Sequence, residues 1–74
     1  MAGAETQAIE IVVNGNPRSV PDGLNVSGLL AFLEIPQERV AVELNGSIVR
    51  KTDWESAPIA EGARLEIVWF VGGG

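Results

Sequence analysis

The 74-residue chain contains no cysteine and no histidine. It therefore has no disulfide, no thiolate nucleophile and no Cys-based metal site. The commonest metal ligands, the usual general base and the usual nucleophilic pairs are missing with them. Four serines, Ser19, Ser27, Ser47 and Ser56, have no histidine to activate them, and Lys51 is the only lysine. Carboxylates are scattered, without the spacing of a calcium loop. No catalytic residue and no metal site is assigned, and an enzyme in its own right is not expected. Positive charge is also scarce: 5 Lys and Arg against 10 Asp and Glu leave a net charge of −5. Nucleic acid asks for a basic face and an anionic membrane attracts basic segments, so neither is an expected partner. A protein with a basic docking surface is the natural complement, although acidic charge also serves solubility. No apolar run approaches a membrane span and no signal-peptide pattern is present. With the absence of cysteine, this fits a cytoplasmic location.

What remains is enough for one small domain. An apolar fraction of 46% supplies a single core, without the bulk to enclose a large active-site cavity as well. Residues 1–7 are small and polar and read as a loose arm. Ile9, Ile11 and Val13 alternate at a strand period within residues 8–13. Asn14 to Pro17 reads as a turn, and Arg18-Ser19-Val20 as a short return strand closed by Pro21-Asp22-Gly23. A helix follows. Asn25 is its N-cap, Leu24 can staple to Leu29, and Val26, Leu29, Leu30 and Leu33 form one face. Gly28 within it would permit close packing on a sheet. Pro36 ends the helix near Ile35.

Val40 to Leu44 alternates again, and Asn45-Gly46 is the strongest hairpin signal in the chain, because a type I′ turn needs positive φ at both central residues. Ser47 to Arg50 returns. Lys51 to Ala60 is irregular, with Trp54 as a plug over the edge of the core. Glu61-Gly62 turns into a last strand, Arg64 to Val71. A hairpin, a crossing helix and three more strands predict an α+β fold of the β-grasp, ubiquitin-like type: a mixed four- to five-stranded sheet packed on one helix, over residues 8–71. The last strand is then central, parallel to the first.

In that strand Leu65, Ile67, Trp69 and Val71 share one phase and Glu66, Val68 and Phe70 the other. The open face of a sheet covered on one side should be polar, and Val68 and Phe70 are not. With Val12, on the outward phase of the first strand, they form an expected apolar docking patch. Directly after lies Gly72-Gly73-Gly74. Three residues reach at most about 10 Å, and glycine fits a channel that excludes any Cβ. A flexible tail of residues 72–74 that presents the Gly74 carboxylate is the functional expectation; an idle frayed end is the alternative. A carboxylate must be activated before it can transfer an acyl group, and condensation with ATP gives an acyl-adenylate whose leaving group is AMP. A sulfur nucleophile would then leave a thiocarboxylate, and an amine an isopeptide.

The ordered stretches Val13-Asn14-Gly15, Val20 to Leu24, Leu29-Leu30, Arg39 to Gly46, Ile48-Val49, Trp54, Glu61-Gly62, Glu66 to Val68 and Phe70 to Gly74 resemble the ThiS family of sulfur carriers in thiamine biosynthesis. The resemblance covers residues 8 to 74. Arg50, Ala63 and Trp69 depart from the family's usual residues without touching the tail. The resemblance implies a carrier and not a catalyst, with no cofactor bound and ATP consumed by an activating partner. That partner would be an E1-like adenylyltransferase of the ThiF type. A persulfide donor would supply sulfur, and a thiazole synthase of the ThiG type would receive it. Gly73 and Gly74 match the family's terminal pair, Gly74 being adenylated and thiocarboxylated, while Gly72 is an extra spacer. The small subunit of molybdopterin synthase, other ubiquitin-like sulfur carriers and ubiquitin-like protein modifiers share the fold and tail and stand as alternatives.

Overall fold

The computed structural model describes residues 7–71. The arm, apart from Gln7, and the Gly72–Gly74 tail lie outside the described residues. Five strands, β1 (Ala8–Val13), β2 (Asn16–Pro21), β3 (Val40–Leu44), β4 (Ser47–Val49) and β5 (Arg64–Trp69), and one helix, α1 (Val26–Phe32), build the fold. The sheet order is β2-β1-β5-β3-β4. β5 runs parallel to β1 and antiparallel to β3, so the last strand is central, as the sequence predicts.

Two Asn-Gly turns make the hairpins. Asn14 and Asn45 adopt φ of 51° and 52°, and the glycines after them 82° and 88°. This is the primed-turn geometry that matches strand twist. The first turn is shorter than the sequence suggests. Asn16 and Pro17 belong to β2, opposite Val13 and Val12. β2 is an edge strand, where a missing proline N–H costs no ladder bond. β1 begins at Ala8 as expected, with one further backbone bond just before it, from Asp22 N–H to the Gln7 carbonyl at 2.7 Å.

Alternation sends Ile9, Ile11, Val13, Val42, Leu65 and Ile67 to one face, where they pack with Val26, Leu29 and Leu30 of α1. Asn25 caps the helix as expected, its side-chain oxygen accepting from Gly28 N–H at 2.6 Å. A Cβ at Gly28 would meet Asn25 Oδ1 at 3.2 Å and Leu24 Cδ2 at 3.3 Å. The glycine therefore makes room for the cap and not for the sheet. At the other end Glu34 N–H donates to Ala31 and Ile35 N–H to Leu30, a Schellman closure. It puts Glu34 at φ 61°, before Pro36 is reached.

The stretch after β4 is not wholly irregular: Lys51–Ser56 forms a 3₁₀ helix. It seats Trp54 in the core, with the indole N–H donating to the Val49 carbonyl at 2.8 Å. Lys51 Nζ lies 5.5 Å from the centre of its ring. The next residues hold the start of α1, through Val26 N–H to Ala57 and Ile59 N–H to Leu24.

A non-glycine residue at the left-handed position of a Schellman closure carries a steric cost that glycine lacks. Glu34→Gly should therefore raise stability by about 0.5–1 kcal/mol in urea unfolding, with the m-value unchanged. A loss of stability would show that the Glu34 side chain contributes more than its backbone costs.

Candidate functional site

The chain leaves the folded body through β5, and its odd-numbered residues face β1. Val12 N–H donates to Ala63 at 2.9 Å and Asn14 N–H to Leu65 at 2.8 Å. At Asn14 the backbone turns away, and the next contact is made by its side chain. Oδ1 accepts from Ile67 N–H at 2.7 Å and Nδ2 donates to the Ile67 carbonyl at 3.1 Å. The amide thus stands in for the peptide that β1 no longer provides. On the other flank Asn45 N–H donates to the Arg64 carbonyl at 2.7 Å, and Asn45 Oδ1 accepts from Arg64 N–H at 2.9 Å. The sequence marks both asparagines as turn residues; their hold on the last strand is legible only once the strand order is known.

Past Ile67 the strand keeps one neighbour. Val68 lies opposite Ala41 and Trp69 opposite Val40, and Phe70 N–H still donates to the Arg39 carbonyl at 2.8 Å. Exposure rises along this stretch. Trp69 shares the inward phase of Leu65 and Ile67 yet is 49% exposed, because β5 outruns the cover over the core. Val71, read from its period as inward, is 91% exposed.

Of the expected docking residues, Val68 is 58% and Phe70 57% exposed, and they stand in the same phase. Val12 is half-buried and lies opposite Arg64, four residues before Val68. At roughly 3.3 Å per residue this separates them by about 13 Å. The structure does not bring Val12 into the patch. Val68 has other neighbours: with Ala41 and Ile48 it lines a shallow depression of about 210 Å³ on the open face. Ile48, which sequence reasoning did not select, is 73% exposed. Its outward phase could have been read from Ser47-Ile48-Val49, but not the pairing that carries it toward β5. The same depression is bounded by Glu43 and Glu66, which face each other across β3 and β5. Like charges directly opposite on a sheet oppose folding, and a cationic group on a partner would relieve them. The surface is therefore an apolar centre with an acidic border, on the open face of the strand that leads to the glycine tail. Gly72, Gly73 and Gly74 lie outside the described residues.

The chain matches the family model described as the ThiS family over residues 8–74. It is similar to a thiazole synthase of Paramagnetospirillum magneticum, 38% identical over 66 residues, which cover 89% of this chain and 20% of that protein. The chain thus spans about a fifth of the length of that relative. It is also 36% identical over 66 residues to the uncharacterized protein ycf40 of Pyropia yezoensis, covering 89% of this chain and 93% of that one. Among solved structures it is similar to the crystal structure of the thiamine biosynthesis protein ThiS from Geobacter metallireducens. The TM-score is 0.78 and the identity 36%, over 89% of this chain and 100% of that chain.

Replacing Asn14 by glycine keeps the positive φ accessible and removes both bonds to Ile67. Asn14→Gly should destabilise the fold by about 1–3 kcal/mol and speed amide exchange at Ile67 in NMR spectra. Unchanged exchange there would show that the amide clamp is not what holds β5.

Proposed function

This chain belongs to the ThiS family, and from that premise we propose that it is a sulfur carrier in thiamine biosynthesis, a protein cosubstrate and not an enzyme. The functional group is the Gly74 carboxylate. It attacks the α-phosphate of ATP, expels pyrophosphate and becomes an acyl-adenylate. The terminal sulfur of a donor persulfide then displaces AMP to give an acyl disulfide. A second thiol attacks the donor-side sulfur, forming a new disulfide with the donor and releasing the terminal thiocarboxylate, which passes its sulfur on for thiazole formation. An E1-like adenylyltransferase binds and consumes the ATP, and the carrier itself binds no cofactor. A persulfide donor supplies the sulfur, a thiazole synthase accepts it, and the exchange takes place in the cytoplasm.

The observation that carries this reading is the family match, which runs through residue 74 and so includes the glycine tail. The fold supports it physically. The strand before the tail is central in the sheet and bonded on both flanks up to Ile67. A tail on such an anchor has a defined origin and still reaches at most about 10 Å beyond Val71. Partnership with a thiazole synthase is supported by a relative of that name which contains a stretch like this chain within a protein about five times as long. Val68 and Phe70, with Ala41 and Ile48, offer the docking surface beside the tail, and Glu43 and Glu66 favour a basic border on the partner.

Incubation with ATP, the adenylating enzyme and a sulfide or persulfide source should raise the intact mass by one oxygen-to-sulfur exchange, localised to Gly74. No gain with an enzyme of demonstrated activity would sink the carrier reading for that partner. Recovery of the chain on protein lysines through an isopeptide would point to a modifier instead. Phe70→Asp should weaken binding to the partner about tenfold or more, as expected when an apolar anchor is lost, with a thermal midpoint close to the parent's. A collapse of the midpoint would place Phe70 in the core and remove it from the docking surface.

A further inference from the structure

The hydrogen-bonding sides of β5 alternate, and the bonds already described fix which residues point where. Ala63, Leu65 and Ile67 turn their backbone groups toward β1 and Asn14, while Arg64 and Phe70 turn theirs toward β3 and Asn45. By the same alternation the N–H and C=O of Trp69 and the N–H of Val71 point to the β1 side. There β1 has already ended, its pairing with β5 stopping at Val13 opposite Leu65. The Asn14 amide occupies Ile67 and nothing further along. Among the described residues, a short open strand edge thus begins at Trp69, on a stretch held extended from its other side by the β3 pairing and the Phe70–Arg39 bond.

We propose that this edge is a strand-addition site: an extended segment of the enzyme that activates Gly74 pairs with the backbone of Trp69 and Val71, with Asn14 setting where the added strand must begin. The occupant rests on the carrier reading. Only three residues separate Val71 from Gly74, a reach of at most about 10 Å, so any protein that encloses the carboxylate must lie alongside this edge. Backbone pairing supplies affinity independent of side chains, and the flanking side chains supply selectivity. Here Trp69 and Phe70, about half exposed, offer apolar contacts. The added strand would also hold residues 69–71 extended, fixing the direction in which the tail enters its channel and lowering the entropy cost of threading it.

Amide hydrogen exchange on the ¹⁵N-labelled chain, alone and with the adenylating enzyme in the absence of ATP and sulfur, tests the proposal. In the free protein Trp69 and Val71 N–H should exchange fast, and Phe70 N–H more slowly. In the complex Trp69 and Val71 should slow by about tenfold or more, as a buried hydrogen bond requires. Val71→Pro removes one donor at a position 91% exposed, and its φ suits an extended chain. It should raise Kd about tenfold, with an unchanged thermal midpoint, while Val71→Ala binds as the parent does. Unchanged exchange at Trp69 and Val71 in the complex, or equal binding by Val71→Pro and Val71→Ala, overturns the proposal. So does protection of both amides in the free chain that grows with its concentration, which would assign the edge to a second copy. An enzyme that forms no complex removes the proposed occupant. Because no thiocarboxylate is formed in this experiment, its failure is separate from a failure of the parent chain to gain sulfur.

Discussion

The last strand is held by two side chains that behave as backbone. Asn14 and Asn45 sit in turns at opposite flanks of β5, each at positive φ, each followed by glycine. A positive φ costs a non-glycine residue about 1 kcal/mol or more, and asparagine tolerates it better than most because its amide can bond locally. Here the amides bond across space to the central strand, at Arg64 and at Ile67. That is where the sheet most needs it. The parallel pairing of β1 with β5 is short, because the first hairpin turns back as soon as the two strands have met. Without Asn14 the N–H and C=O of Ile67 would lose both of their bonds, and Leu65 and Ile67 carry the core side of the strand. The core, the strand order and the exit of the chain all depend on that short junction.

The same junction produces a gradient along one strand. From Arg64 to Ile67 the strand is bonded on both flanks and alternate side chains are buried; past Ile67 β3 is the one paired neighbour among the described residues, its last bond is at Phe70, and the Val71 side chain is almost wholly exposed. A helix of seven residues covers only part of the sheet, so the inward phase ends in a half-exposed Trp69. The gradient lets one strand serve two opposed needs. Its first half is placed by the fold, and its second half is available to a partner without unfolding anything. An anchor bound equally along its length would give the tail no free edge, and one frayed along its length would give it no fixed origin.

Most of this architecture was legible in residues whose effect is local. Asn45-Gly46 specifies a turn, Asn25 a cap, and the period of residues 9–13 a buried face; each was found where expected. The misreadings concern relations between distant segments. Pro17 looks like turn punctuation, yet an edge strand accommodates it, and whether a strand is an edge depends on the whole sheet. The alternation of β1 gives Val12 its outward phase but not its neighbours. The stagger of a parallel pair is set by a long connection and not by the alternation itself, so Val12 met Arg64 instead of Val68. Ala41 and Ile48 reach the patch through the pairing of β3 with β5 and β4, which no local pattern in either residue's own strand announces. Glu34 entered the left-handed region where the sequence offers no glycine, so Pro36 seemed to end a helix that the Schellman closure ends first. The family resemblance escaped these errors because it rests on motifs in order along the chain and not on their offsets in space.

On the carrier reading, the residues this chain lacks acquire a chemical meaning. An acyl-adenylate at Gly74 is open to any nucleophile within reach, and the nucleophile most able to intercept it is a thiolate. The chain has none, and no imidazole to activate a serine. Its single side-chain amine, Lys51, lies 5.5 Å from the centre of the Trp54 ring. A cysteine of this chain within reach of the activated carboxylate would turn activation into self-acylation before sulfur arrived. The composition thus leaves out the side chains most able to intercept the one group through which a carrier would act. On that reading selection between sulfur and amine acceptors would belong to the enzymes that enclose the tail, and the proposed edge and patch beside β5 would carry the choice of enzyme.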